Sequence, residues 1–143
     1  MQRPQGTLAS APPKAVTSGR VLFMDDDPHI SYLTGTMLET LGYEFDLVKN
    51  GGEALKYFES SLNLGRLYDL VILDLTIIDG MGGEEAFKHM REISPKVKAI
   101  IVSGYDNDER AQQFILNKGF CGYLTKPYRV DDLGAAITQA LGR

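Results

Sequence analysis

The sequence predicts an α/β domain built on a five-stranded parallel sheet with helices on both faces. Three observations carry this. Five short apolar runs (21–24, 45–48, 70–73, 99–102 and 120–124) alternate with longer stretches whose apolar residues recur at helical spacing. The runs "LVIL" and "IIV" are apolar throughout, as strands buried on both faces must be. Successive strand-then-helix units join parallel strands by helical crossovers, and right-handed crossovers distribute the helices over both faces.

Each element has its own signal. "VLFM" forms strand one, and Asp27 before Pro28 reads as the cap and first residue of helix one, with Ile30, Leu33, Met37, Leu38 and Leu41 on one face. Gly42 is a natural stop. "EFDLV" alternates in polarity, which marks strand two as an edge. Ala54, Leu55, Phe58 and Leu62 space helix two, and "YDLVILDL" is the third strand. Helix three follows with Ala86, Phe87, Met90 and Ile93, then strand four, "AIIV". Ala111, Phe114 and Ile115 space a fourth helix that Gly119 stops. Strand five ends in "YLTKPY", and Leu133, Ala136, Ile137, Ala140 and Leu141 space a last helix. With strand two at an edge, the flavodoxin-like order 2-1-3-4-5 fits best. That order puts the ligand crevice at the carboxyl ends of strands one and three, where the winding direction reverses.

Composition limits the functions available. A chain of 143 residues with 43% apolar content makes one ordinary domain with a real core. Residues 1–19, rich in Pro, Ala, Ser and Thr, read as a flexible leader or linker, and the domain proper runs over 20–143. Net charge is −4; Arg3, Lys14 and Arg20 are unopposed in residues 1–20, which leaves −7 on the remainder. Such a domain does not attract nucleic acid or a membrane surface through its own field. No apolar run reaches membrane-spanning length, and no signal-peptide block is present, so a cytoplasmic setting is expected. Cys121 alone cannot form an internal disulfide and is expected to be a small buried residue.

The strand ends carry the chemistry. Strand one ends in Asp25, Asp26 and Asp27, strand three in Asp74, strand four in Ser103-Gly104 and strand five in Lys126-Pro127. Adjacent carboxylates about 5 Å apart repel by roughly 3 kcal/mol at an effective dielectric near 20, so either they point apart into water or something positive sits among them. Mg²⁺ suits hard oxygen ligands and commonly shares its shell with phosphate. Asp25 or Asp26 with Asp74 would hold it, while Lys126 and Ser103 supply a charge and a hydroxyl to the same phosphoryl oxygens. This is the equipment of phosphoryl transfer, with an Asp able to act as nucleophile.

The pieces "VLFMDDDP", "YDLVILDL", "IIVSGY" and "YLTKPY", in this order, are similar to the receiver domains of two-component response regulators, over residues 20–142. The wording "DLTI…GMGG", "SGY" and "KPY" resembles receivers attached to hybrid sensor histidine kinases. The resemblance implies that Asp25, Asp26 and Asp74 bind Mg²⁺ together with the backbone carbonyl of Thr76. Asp74 would accept phosphate, Ser103 and Lys126 would assist, and Tyr123 would be a rotameric switch. It also implies a cis Lys126–Pro127 bond and a phosphohistidine donor on a histidine kinase or histidine phosphotransfer protein. The domain would catalyse its own modification, turn over nothing else, and act through a partner or a longer parent chain. A homodimer through strand five and the last two helices is compatible with it. The chain departs from the family after Asp74: Ile78 stands where a proline is usual, and one extra residue falls within 79–83.

Other readings stay open at this level. Asp25–Asp27 could be a solvated turn, with Asp27 as a helix cap. The same fold could serve as an interaction module that is never phosphorylated. Asp25 and Asp27 superficially supply the "DxD" of a haloacid-dehalogenase-type phosphatase, although Asp74 would then have no role. A flavodoxin-type phosphate loop is disfavoured by three acids. His29 and His89 have no partner pattern and read as surface residues, and Asp131 and Asp132 as first-turn acids of the last helix.

Overall fold

In the computed structural model, residues 18–75, 80–104 and 118–143 are described. The elements are β1 (Gly19–Met24), α1 (Pro28–Thr40), β2 (Tyr43–Val48), α2 (Gly51–Leu64), β3 (Leu70–Asp74), α3 (Gly83–Ile93), β4 (Ala99–Ser103), β5 (Gly122–Thr125) and α4 (Val130–Ala140). The helix expected around Ala111, Phe114 and Ile115 lies outside the described residues.

All strand pairs are parallel, in the order β2-β1-β3-β4-β5. Because side chains alternate along a strand, the sheet builds two cores. Leu22, Met24, Val71, Leu73 and Ile101 face α2 and α3, where Phe58, Phe87 and Met90 meet them. Val21, Phe23, Ile72, Ile100 and Val102 face α1 and α4, where Leu38, Leu133 and Ile137 close the layer. Burying each such side chain contributes roughly 1.5–3 kcal/mol before entropy is subtracted.

The local signals work as read. Asp27 caps α1 by accepting from the His29 and Ile30 N–H groups, with Pro28 in the first turn. Gly42 continues past the α1 cap at φ +88°, a conformation that costs glycine little. Three expectations fail. Leu33 and Ile93, placed by spacing on core faces, are 43% exposed. Leu33 stands on the flank of α1, beyond the strip made by Thr34 and Leu38, and Ile93 is the last residue of α3, where no further turn covers it. Cys121 is exposed, not buried. Strand alternation at the entry to the edge strand β5 sends Phe120 inward and its neighbour out.

Candidate functional site

The carboxyl ends of β1 and β3 lie side by side, Met24 opposite Leu73 in register, so the residues that follow share one notch. Asp25 and Asp74 are each 1% exposed, whereas Asp26 faces solvent at the mouth. One carboxylate oxygen from each of the three falls within 4.8 Å of the others. Ser103, at the end of β4, is fully buried. Its carbonyl accepts from the Lys126 N–H at 2.8 Å, so β4 fixes the start of the turn that carries the lysine.

Lys126 reaches across this notch. Its Nζ stands 3.0 Å from Asp25 Oδ2 and 3.2 Å from Asp74 Oδ2. Burial pushes the ammonium down, but the two carboxylates outweigh it and hold its pKa above the ordinary lysine value. Asp25 Oδ1 accepts from the Asp27 N–H at 2.8 Å, which orients the other oxygen inward. That oxygen, Oδ2, is buried and faces the Lys126 ammonium. Among the described residues, three carboxylates meet one ammonium in the notch. Two buried carboxylates and a third at the mouth, a set of hard oxygens within reach of one another, fit a divalent cation such as Mg²⁺.

The other expected site residues divide clearly. Tyr123 lies on β5 opposite Ile101 and is 37% exposed, so its ring is at the surface. Thr76 lies outside the described residues. Asp27 is occupied in capping α1 and is not directed at the notch, which removes the second acid that a phosphatase of "DxD" type would need. The Lys126–Pro127 peptide is cis. Asp131 and Asp132 occupy the first turn of α4, and Asp132 also accepts from the Arg129 N–H at 2.9 Å.

One pair of site-supporting residues escaped the sequence reading. Thr34 Oγ1 and Tyr128 OH lie 2.6 Å apart and buried, tying α1 to the turn two residues beyond Lys126. Burial raises the Tyr128 pKa to about 12, against the lowering effect of the Thr34 bond, and Asp25 raises it further. The only local signal for it is the tyrosine of "KPY", because its partner lies 94 residues away in the chain.

The response regulator receiver domain model matches residues 21–138. The chain belongs to that family. Its relatives include both kinds of two-component protein. The receiver is 33% identical over 110 residues to the CAI-1 autoinducer sensor kinase/phosphatase CqsS of Vibrio cholerae, covering 76% of this chain and 15% of that one. It is also 33% identical over 121 residues to the transcriptional regulatory protein GlrR of Escherichia coli, covering 85% and 26%. The chain thus spans about a quarter or less of these curated relatives. Among solved structures, the response regulator TrrA of Thermotoga maritima, in complex with Mg(2+)-BeF, superposes with a TM-score of 0.72 at 32% identity, covering 86% of this chain and 99% of that one. A CheY-like receiver domain protein from Methanospirillum hungatei gives 0.73 at 31%, covering 87% and 94%.

Proposed function

We propose that this receiver domain accepts a phosphoryl group on Asp74 from a phosphohistidine of a histidine kinase or histidine phosphotransfer protein, with Mg²⁺ held by Asp25, Asp26, Asp74 and the backbone carbonyl of Thr76. The observation that carries the reading is the convergence of three carboxylate oxygens within 4.8 Å, two of them bridged by the Lys126 ammonium. The Mg²⁺–BeF complex of the similar TrrA structure supports it.

In the transfer, an Asp74 carboxylate oxygen forms the new P–O bond. The P–N bond to the partner's imidazole breaks, and its electron pair returns to the ring nitrogen. Bound Mg²⁺ supplies charge neutralisation at the phosphoryl oxygens. Lys126 turns from the Asp74 oxygen to the incoming group, and Ser103 offers its hydroxyl to the same oxygens. On this reading most of the catalysis is positioning and charge stabilisation, and the chain modifies itself without turning over another substrate. Withdrawal of Ser103 and Lys126 toward the new charge then lets Tyr123 turn inward from its half-exposed position. That alters the surface around β5 and the last helices, the region open to a partner protein or a second copy. No described helix is long and apolar enough to cross a membrane, in keeping with a cytoplasmic site of action.

The test is intact-mass spectrometry after incubation with acetyl phosphate and MgCl₂. One phosphoryl adduct is expected, absent without Mg²⁺ and absent in Asp74→Asn. An adduct that survives Asp74→Asn overturns the assignment, and a wild-type chain that takes none favours the reading as a pure interaction module.

A further inference from the structure

The described part of the stretch that departs from the family wording after Asp74, "GMGG" at 80–83, makes two unusually close backbone approaches. Gly51 opens α2, and its N–H donates to the Met81 carbonyl at 2.8 Å. A Cβ placed on Gly51 would stand 2.7 Å from Met81 Cγ and 2.9 Å from Met81 Cβ and carbonyl oxygen. On the other side of the same stretch, a Cβ on Gly83 would stand 2.7 Å from the Asp74 carbonyl oxygen and 3.0 Å from Leu73 Cβ. Residues 81–83 are therefore wedged between the N-terminus of α2 and the backbone of Asp74.

The wedge uses a group that the helix cannot use itself. The first N–H groups of a helix have no intrahelical acceptor. Asn50 caps α2 by accepting from the Glu53 N–H at 3.0 Å, which leaves the Gly51 N–H for Met81. Gly51 is not in the left-handed region, so its backbone would admit any residue, and what the glycine provides is room.

We infer that Gly51 is a positioning residue for Asp74. The absence of a side chain at 51 lets Met81 seat against α2, and through Gly83 that seat holds the Asp74 backbone where metal and phosphoryl group must find it. This rests on the reading of Asp74 as phosphoacceptor.

Gly52 is the matched control. It occupies the same helical turn and is exposed, and a Cβ there meets nothing nearer than Asn50 Oδ1 at 3.3 Å. Alanine at either position raises helix propensity alike, so a difference between the two variants reports the crowding at Met81 and not propensity. Four full-length chains are compared: wild type, Gly51→Ala, Gly52→Ala and the double variant Gly51→Ala/Met81→Gly. In the metal-free proteins, amide hydrogen exchange at residue 51 is expected to be protected in wild type and Gly52→Ala and open in Gly51→Ala. By calorimetric titration with MgCl₂, and by the half-life of the acetyl-phosphate adduct, Gly51→Ala should differ from wild type by about tenfold, the scale of a sub-ångström to ångström misplacement. Gly52→Ala should match wild type, and the double variant should recover much of the loss because two of the three crowded contacts are to the Met81 side chain.

A Gly51→Ala chain indistinguishable from Gly52→Ala overturns the inference, as does a double variant that recovers nothing. If Gly51→Ala alone fails to fold and the double variant folds, the seat is supported; if both fail, the proposed local role is wrong. A wild-type chain that binds no Mg²⁺ and takes no adduct defeats the reading of the pocket instead, and the exchange measurement then decides the wedge by itself.

Discussion

The two ends of the sheet carry similar charged residues and use them in opposite ways. At the amino end, Arg20 lies over the Tyr68 ring, 4.4 Å from its centroid, and pairs with Asp46 at 3.1 Å and Glu44 at 3.6 Å. The Tyr68 hydroxyl donates to Asp46 at 2.5 Å, Arg66 pairs with Glu44 at 3.3 Å, and the Arg20 N–H and side chain bond Asp69 and the Arg66 carbonyl. Every carboxylate there meets a guanidinium, a phenol or a backbone N–H. At the carboxyl end, Asp25 and Asp74 share the Lys126 ammonium, and Asp26 stands beside them at the exposed mouth. The amino end is a closed account that locks β1, β2 and β3 together. Among the described residues the carboxyl end gathers more carboxylates than ammonium, and such a set attracts a cation.

The contrast can be broken most forcefully at Lys126. Lys126→Met takes from the buried Asp25 and Asp74 the ammonium that pairs with both, so the metal-free protein should lose about 3 kcal/mol in urea unfolding. Saturating MgCl₂ should return much of that, since 100-fold excess over the dissociation constant contributes roughly 2.7 kcal/mol. A loss that Mg²⁺ leaves untouched would mean that the notch does not hold the ion. At the other end, Asp46→Ala strips Arg20 and Tyr68 of a shared partner and should cost about 2 kcal/mol, with no response to Mg²⁺.

Alkaline pH sharpens the same comparison. Lys126 and Tyr128 both hold their protons more tightly in the folded chain than their ordinary values of 10.5 and 10.0. The stabilisation is fully present below those values and is lost as pH rises through the folded ones, because the unfolded chain releases its protons first. For Tyr128 the window runs from pH 10.0 to about 12, and its share is on the order of 2–3 kcal/mol. Tyr68, raised by burial and by Asp46, loses its contribution at still higher pH. Denaturant titrations between pH 9 and 12 should therefore show falling stability, with a shallower fall in Tyr128→Phe; equal slopes would remove Tyr128 from the site's support. The smallest effect carries the opposite sign. Asp74→Asn relieves repulsion in the anionic notch, so it should stabilise the metal-free fold by about 1 kcal/mol while abolishing the adduct. Destabilisation there would show the notch already balanced.

The strand ends were legible because they depend on short segments. A run of apolar residues that stops at an Asp announces both the strand and what waits at its end, and four such stops in one order place the notch. Cys121, Leu33 and Ile93 were misread for a common reason. Spacing tells which residues share a face, but whether the edge of that face is covered depends on neighbours far away in the chain. The Thr34–Tyr128 bond, 94 residues apart, and the seat of Met81 on Gly51 belong to the same class.

Sequence alone determined the alternation of strands and helices, the caps at Asp27 and Gly42, and which residue types terminate each strand, since these follow from local sterics and from a two- or 3.6-residue period. Tertiary structure decided what those residues are worth. Packing buried Asp25 and Asp74 beside one another, stretched Lys126 between them and satisfied the acids at the opposite end. The free energy of a charge is set by how near its partners are and how little water remains, and neither is written in the order of residues.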